Sequence, residues 1–86
     1  MPIHATPNEI HEHITAVLRD VFEDPSLDVR DELTAADVPA WDSLNHINLI
    51  VALEREFRVR FTAGEAIGMK NIGELKALIA RKLNAG

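Results

Sequence analysis

Residues 41–57 read WDSLNHINLIVALEREF, a helix start followed by a long apolar pattern. Asp42 is a favoured N-cap residue, and apolar residues follow it at helical spacings. The pattern predicts a helix that begins at Asp42 and ends at about Arg58. Its apolar face is wider than the roughly three positions in seven of an ordinary amphipathic helix. We expect this helix to contact several other elements or a partner.

A first helix is predicted upstream, over residues 7–23. Thr6 and Glu9 have the spacing of a capping box, and Pro7 stands where its missing N–H costs nothing. An apolar stripe follows and ends before Asp24. The residues of this stripe are Ile10, Ile14, Val17, Leu18, Val21 and Phe22.

Residues 24–41 hold no period, and their prolines and aspartates predict a loop longer than compact domains usually contain. Loops of this kind are often functional. We expect residues 31–34 to form one short turn, and four apolar residues to hold the loop against the core. These four are Leu27, Val29, Leu33 and Val38.

Two more capping patterns follow the helix of residues 42–58. Thr62 and Glu65 predict a third helix, which the nearby glycines keep short. Asn71 and the residues after it predict a fourth helix that frays after Leu83. No alternating strand pattern occurs in the sequence. The predicted fold is therefore an all-α four-helix bundle of three longer helices and one short helix, with the long loop between helices one and two.

Size and composition restrict the classes of protein that fit. With 86 residues, 47% of them hydrophobic and 5% aromatic, the chain is expected to form a single domain, residues 1–86, with an aliphatic core. The absence of cysteine excludes disulfides and thiolate metal sites. No basic leader and no apolar run of about 20 residues is found, so we expect a cytoplasmic protein without membrane insertion.

Charge is distributed unevenly along the chain, whose net charge is −5. Residues 1–43 contain ten acidic and two basic side chains, whereas residues 44–86 contain four acidic and seven basic side chains. The acidic balance argues against a nucleic-acid partner, because phosphate contacts need clustered Lys and Arg. A basic partner would be attracted first to the first half of the chain.

Ser43 falls at the first position of the helix that begins at Asp42, where its hydroxyl is expected to point outward. Unpaired N–H groups and the helix dipole favour an anion at such a position by ~0.3–1 kcal/mol. The position therefore suits a phosphodiester on the serine.

The motif Asp42-Ser43-Leu44 resembles the modification motif of the acyl carrier protein family, and the likeness extends over nearly the whole order of helices and loops. The resemblance implies a carrier without catalytic residues or a resident metal. A phosphopantetheinyl transferase would move phosphopantetheine from coenzyme A onto Ser43, and acyl groups would travel on its thiol as thioesters. It implies a monomer that visits a loading ligase and downstream synthase or transferase enzymes.

The resemblance also assigns roles to residues around Ser43. Asp42 and Leu44 would help the transferase dock. The acyl-facing groove of the family, between the second and third helices, would be lined here by Ile47, Val51, Ala52 and Met69.

The sequence departs from the family pattern on the exposed face of the second helix. Asn48 and Arg55 stand where many fatty-acid carriers have glutamates, although Glu54 and Glu56 remain. With Asn48, Glu54 and Arg55 as partner contacts, we expect a dedicated partner set in a specialised biosynthetic pathway rather than core fatty-acid synthesis.

Two other functions stay open. One is an aminoacyl carrier loaded by a stand-alone ligase, although Ala40-Trp41 replaces the two glycines that usually precede the motif of peptidyl carriers. The other is a helical interaction module that never receives the arm. A hydrolase that uses His46 as the base of Ser43 is disfavoured, because no Gly-x-Ser-x-Gly elbow is present.

Several side chains have structural interpretations that we prefer. Trp41 is expected to hold the loop against the core. A solvated, salt-bridged rim is expected at Arg55, Arg58 and Arg60. The four histidines are expected to be solvated rather than to bind a metal, since two of them lie on different sides of a helix. They are His4, His11, His13 and His46.

Overall fold

The computed structural model describes residues 6–85, and within them the secondary structure is entirely helical. The four helices are α1 (Pro7–Val21), α2 (Ser43–Phe57), α3 (Ala63–Gly68) and α4 (Ile72–Ala85). A single 3₁₀ turn, Ala35–Asp37, lies in the loop between α1 and α2. The predicted all-α bundle of three longer helices and one short helix is confirmed.

The predicted capping residues begin α1 as expected, but the helix ends earlier than predicted. The Thr6 hydroxyl accepts the Glu9 N–H at 3.2 Å, and the Glu9 carboxylate accepts the Thr6 N–H at 3.3 Å. At the other end Phe22 is the C-cap and Glu23 adopts a left-handed φ of 53°. Because a left-handed residue cannot continue an α-helix, the predicted bound at residue 23 is wrong by two residues.

The core forms where α1 packs against both α2 and α4. The predicted stripe of α1 supplies five of its buried residues, and α2 supplies only part of its apolar face. Leu49, Leu53 and Phe57 are buried, whereas Leu44 and Ile47 face solvent. The buried apolar residues are Ile10, Ile14, Val17, Leu18, Phe22, Val29, Leu33, Val38, Leu49, Leu53, Phe57, Ile72, Leu75, Leu78 and Ile79.

The long loop is held both by apolar side chains and by α4. Three of the four predicted anchors are buried, and Leu27 is half-buried against the core. Two free N–H groups at the start of α4 donate to loop carbonyls, from Ile72 to Leu33 at 3.1 Å and from Gly73 to Asp31 at 2.9 Å. The Lys76 ammonium donates to the Asp31 carboxylate at 2.8 Å, and it lowers the pKa of that carboxyl.

The short turn predicted at residues 31–34 lies one residue earlier, over residues 30–33, where a hydrogen bond from the Leu33 N–H to the Arg30 carbonyl at 3.0 Å closes it. The one helical turn of the loop nevertheless lies just after it. There the Thr34 N–H is accepted by the Asp37 carboxylate at 3.0 Å, which stabilises the 3₁₀ turn.

The end of α4 extends past the predicted fraying point at Leu83 and continues to Ala85. Gly86, the last residue of that predicted frayed segment, lies outside the described residues. Among residues 6–85, no helix combines the length and the apolar character that crossing a membrane requires.

The short helix α3 contributes no buried residue. Its capping box is present, with the Thr62 hydroxyl accepting the Glu65 N–H at 3.1 Å. The Lys82 ammonium of α4 donates to the Glu65 carboxylate at 2.8 Å. This ammonium lowers the pKa of Glu65, and it lies 5.4 Å from the ring centroid of Phe61. The link from α3 to α4 is therefore largely polar.

Candidate functional site

The start of α2 is fixed by two side chains. The Asp42 carboxylate accepts the Asn45 N–H at 2.8 Å, so Asp42 is the N-cap of α2 as predicted. The Asn45 side-chain amide donates to the Ala40 carbonyl at 2.7 Å and thereby ties the helix to the end of the loop. Ser43 is consequently placed at the first helical position by both the loop and the helix.

Ser43 is exposed, and its hydroxyl makes no hydrogen bond to any of residues 6–85. Beside it, Leu44 keeps 68% of its surface accessible. The backbone N–H groups of Ser43 and Leu44 also find no acceptor within the described residues, since they belong to the first turn of the helix. A phosphodiester on the hydroxyl would meet these donors and the positive end of the helix dipole. The residues present therefore fit a phosphate-linked group.

Ser26, the other serine of the chain, lies in a different environment. It is also exposed, but its hydroxyl donates to the Asp24 carboxylate at 2.9 Å and its N–H donates to the same oxygen at 3.1 Å. It lies in the loop rather than at the start of a helix. The two serines therefore differ in the availability of the hydroxyl and in the donors around it.

A chain of hydrogen bonds connects the loop, α2 and α3 beside Ser43. The Trp41 indole N–H donates to His46 Nδ1 at 3.0 Å. Since the indole nitrogen can only donate, Nδ1 of His46 is unprotonated and its proton is on Nε2. That Nε2–H donates to the Ala66 carbonyl at 2.8 Å, so a neutral imidazole bridges three parts of the fold.

Trp41 has the packing role predicted for it. The centroid of its ring lies 5.3 Å from the ring centroid of Phe22. The same ring stacks with the imidazole of His46 at a centroid distance of 6.2 Å. No local pattern in the sequence indicates the third partner, the Ala66 carbonyl. Only the three-dimensional position of α3 reveals it.

The three histidines within residues 6–85 are engaged in the packing of the fold or lie apart from one another, and none of them is placed beside the Ser43 hydroxyl as a base. Both ring nitrogens of His46 are engaged with Trp41 and Ala66, so His46 is not placed to activate Ser43. His13 Nδ1 lies 2.5 Å from Glu56 Oε2 and links α1 to α2. Within residues 6–85 no group of three potential metal ligands occurs. His4 lies outside the described residues.

The residues predicted to line an acyl-facing groove are found in two environments. Ile47 and Val51 are 61% and 42% exposed on the outer face of α2. Ala52 and Met69 are half-buried and pack against the core. Met69 lines a cavity of about 340 Å³, but its other lining residues come from α3 and α4. Ile67 was not singled out from the sequence, yet it is 82% exposed on α3.

The predicted partner-contact residues differ in how freely they are presented. Asn48 is exposed and donates to the Asn45 side chain at 3.2 Å, and Arg55 is exposed. Glu54 is half-buried, and its carboxylate accepts the Phe61 N–H at 2.9 Å.

The arginines around the end of α2 do not form the expected salt-bridged rim. Arg55, Arg58 and Arg60 are all exposed, as the solvated part of that prediction requires. None of them forms an ion pair with any carboxylate in the part of the chain that the structure describes. The salt-bridged part of the prediction is therefore wrong.

The exposed serine at the start of α2 lies beside a histidine whose ring nitrogens are both engaged elsewhere, so the site holds no base for the serine among the described residues. A scan against models of protein families finds no match. A comparison with solved structures finds the solution NMR structure of a holo acyl carrier protein from Geobacter metallireducens. The two chains are 41% identical with a TM-score of 0.83, over 88% of this chain and 87% of the other.

This chain belongs to the acyl carrier protein family. Members of the family are carriers and not enzymes, and their cofactor is covalently bound phosphopantetheine.

Proposed function

We propose that residues 1–86 form a single acyl carrier domain that holds phosphopantetheine on Ser43 and carries acyl groups as thioesters on its terminal thiol. The observation that carries this proposal is the free, exposed hydroxyl of Ser43 at the first position of α2, in a chain of the acyl carrier protein family. No other serine of the chain combines these features, since Ser26 is engaged with Asp24.

Attachment of the arm is a phosphoryl transfer that a phosphopantetheinyl transferase performs. The Ser43 Oγ attacks the phosphate of coenzyme A that carries the pantetheine, the serine proton goes to a base of the transferase, and adenosine 3′,5′-bisphosphate leaves. The residues of this chain contribute placement rather than acid or base chemistry. Asp42 keeps the helix start in register through Asn45, and exposed Leu44 gives the transferase an apolar contact.

The cargo and the partners follow from the surface of α2. Exposed Leu44, Ile47 and Val51 favour an apolar acyl chain over a polar aminoacyl group, and Ala52 and Met69 would shelter it deeper in the fold. We assign the contact with partners to Asn48, Glu54 and Arg55.

The pathway is proposed to be specialised rather than core fatty-acid synthesis, because an uncharged and a basic residue occupy the exposed face of α2. The partners would be a loading ligase and a downstream synthase or transferase. The carrier would work as a cytoplasmic monomer, where coenzyme A is available and encounters with partners are brief.

The test is the intact mass of the protein after incubation with coenzyme A and a promiscuous phosphopantetheinyl transferase. We expect the mass to rise by one phosphopantetheine. Ser43→Ala should abolish the increase, whereas Ser26→Ala, the matched exposed serine, should leave it unchanged. Circular dichroism of both variants should match the parent, because neither side chain is buried.

Modification of Ser43→Ala as readily as the parent would disprove the site. A parent that no transferase modifies, together with a stable complex in pull-down, would instead identify an unmodified interaction module.

A further inference from the structure

Three exposed arginines lie at the end of α2 that is distant from Ser43, and we call them the arginine cluster. Arg55 is in the last turn of α2, Arg58 is its left-handed C-cap with a φ of 55°, and Arg60 follows two residues later. Together with Val51 and Val59 they line an open concavity of about 490 Å³. The surface is therefore concave, basic and partly apolar.

The acidic residues closest in sequence to the arginine cluster are occupied elsewhere. Glu54 lines the same concavity, but its Oε2 accepts the Phe61 N–H at 2.9 Å. Glu56 points to α1, where it meets His13 at 2.5 Å. Within residues 6–85 no carboxylate forms an ion pair with any of the three guanidinium groups. No ion pair within the described residues therefore neutralises the three guanidinium groups, and the Glu54 carboxylate is the one acidic group that lines the concavity with them.

Six of the nine Lys and Arg side chains form no ion pair within residues 6–85, so the lack of an ion pair does not by itself distinguish the arginine cluster. Lys76 pairs with Asp31 at 2.8 Å, and Lys82 pairs with Glu65 at the same distance. The arginine cluster is distinguished by its arrangement, because its three guanidinium-bearing residues line one concavity.

The arginine cluster is continuous with the surface that leads to Ser43. One face of α2 has a stripe of residues that are three, four and four positions apart, namely Leu44, Ile47, Val51 and Arg55. The first three are 68%, 61% and 42% exposed. At 1.5 Å per residue, Ser43 and Arg55 are roughly 18 Å apart along the helix axis. One partner surface can span both.

We propose that the arginine cluster docks the carboxylate-bearing surface of an enzyme that acts on the arm, with the exposed stripe of α2 as the apolar part of the contact. This inference rests on the proposed function, since the arm brings that enzyme to Ser43. Guanidinium groups bind carboxylates in a bidentate manner, which orients a partner as well as attracting it.

The first experiment locates the anion-binding surface with an oligoglutamate peptide as the probe, added to the isotope-labelled protein and followed by NMR. We expect the amides of residues 51–60 to shift, and the shifts to weaken as salt rises. The triple variant R55Q/R58Q/R60Q should lose them. Arg81→Gln, which removes an exposed arginine from α4, is the matched control and should keep them.

Three outcomes of this titration would overturn the proposal. One is a set of shifts centred on the lysines of α4, and another is a triple variant that binds oligoglutamate like the parent. The third is binding of the cluster to phosphatidylglycerol vesicles without any binding of oligoglutamate. Dispersed amide signals in the triple variant verify that it is folded.

The second experiment uses the holo-protein with a thiol-directed cross-linker on its arm, in an extract of the source organism. At low salt the triple variant should capture the enzyme about tenfold less than the parent and the Arg81→Gln control do. Equal capture by all three proteins, or a captured enzyme whose docking surface is basic, would overturn the proposal.

The two proposals fail in distinguishable ways. A parent protein that accepts no arm ends the proposed function, while the oligoglutamate titration of the unmodified protein still reports on the arginine cluster. A parent that is loaded but shows no shifts at residues 51–60 ends only the docking proposal.

Discussion

Helices α2 and α3 lie on either side of the hydrogen bond from His46 to Ala66, but they are attached to the fold by different forces. Leu49, Leu53 and Phe57 of α2 are at most 1% exposed. The six residues of α3 include no buried side chain. Its hydrogen bonds to other helices within residues 6–85 involve His46 of α2 and Lys82 of α4.

The two helices are therefore expected to differ in the free energy of local opening. Burial of a whole leucine side chain contributes about 1.5–3 kcal/mol, whereas one hydrogen bond contributes about 0.5–1.5 kcal/mol net. Helix α3 should therefore open locally without unfolding α1, α2 and α4. Since His46 also binds Trp41 beside Ser43, opening of α3 would change the surroundings of Ser43.

The largest effect is expected from Leu53→Ala in the buried face of α2. The side chain is fully buried, so its truncation leaves a cavity and should lower the free energy of unfolding by about 2–5 kcal/mol. Urea unfolding followed by circular dichroism measures the change. Val51→Ala, on the exposed face of the same helix, is the control and should change stability by no more than about 0.5 kcal/mol. Equal decreases in the free energy of unfolding in the two variants would contradict the division of α2 into a buried and an exposed face.

A smaller and local effect is expected from His46→Ala. The variant removes the acceptor of the Trp41 indole and the donor to the Ala66 carbonyl. Both groups are only half-buried, so water can replace part of the loss, and we expect local opening of α3 to become easier by about 1 kcal/mol. Amide hydrogen exchange in α3 should then be faster by about fivefold.

His46→Gln is the control for this prediction, because glutamine retains one acceptor and one donor and should recover part of the protection. The Leu53 amide should be accelerated by a similar factor, because α3 is also unfolded in the globally unfolded state, but it should remain better protected than the amides of α3. Equal protection of Leu53 and the α3 amides in the parent protein would mean that the two helices open together.

The sequence predicted best those features that depend on neighbours in the chain. Asp42 caps α2, and the capping boxes of α1 and α3 are present, because each needs only residues three positions apart. The end of α1 was missed because Glu23 is left-handed where the chain turns into the loop, with the Asp24 N–H donating to the Arg19 carbonyl at 3.0 Å. A non-glycine residue in that conformation has no reliable sequence signal.

The candidate site shows the same division. The placement of Ser43 at the first turn of α2 follows from the Asp42 cap, whereas the partner of His46 is Ala66, twenty positions later in the chain. The arginine cluster was misjudged for a similar reason. Glu56 is next to Arg55 in sequence, but the fold turns its carboxylate to His13 of α1. Side-chain pairing depends on the packing of helices, which local spacing does not contain.

The smallest effect is expected from Gly64→Ala, which would strengthen α3 itself. A Cβ at Gly64 would have its nearest neighbour at 4.0 Å, and the residue has no positive φ. Alanine lowers the entropy of the unfolded chain, so α3 should gain about 0.4–1 kcal/mol. Amide exchange in α3 should slow by about two- to fivefold, and the free energy of global unfolding should rise by the same amount, because α3 is unfolded in the locally open and in the globally unfolded state. Gly73→Ala is the contrast in α4, because its Cβ would lie 3.3 Å from Asn71 Oδ1, the oxygen that accepts the Glu74 N–H. Amide exchange in α3 that is as slow as that of the buried Leu53 would show that α3 unfolds only with the core, which would remove the difference between α2 and α3.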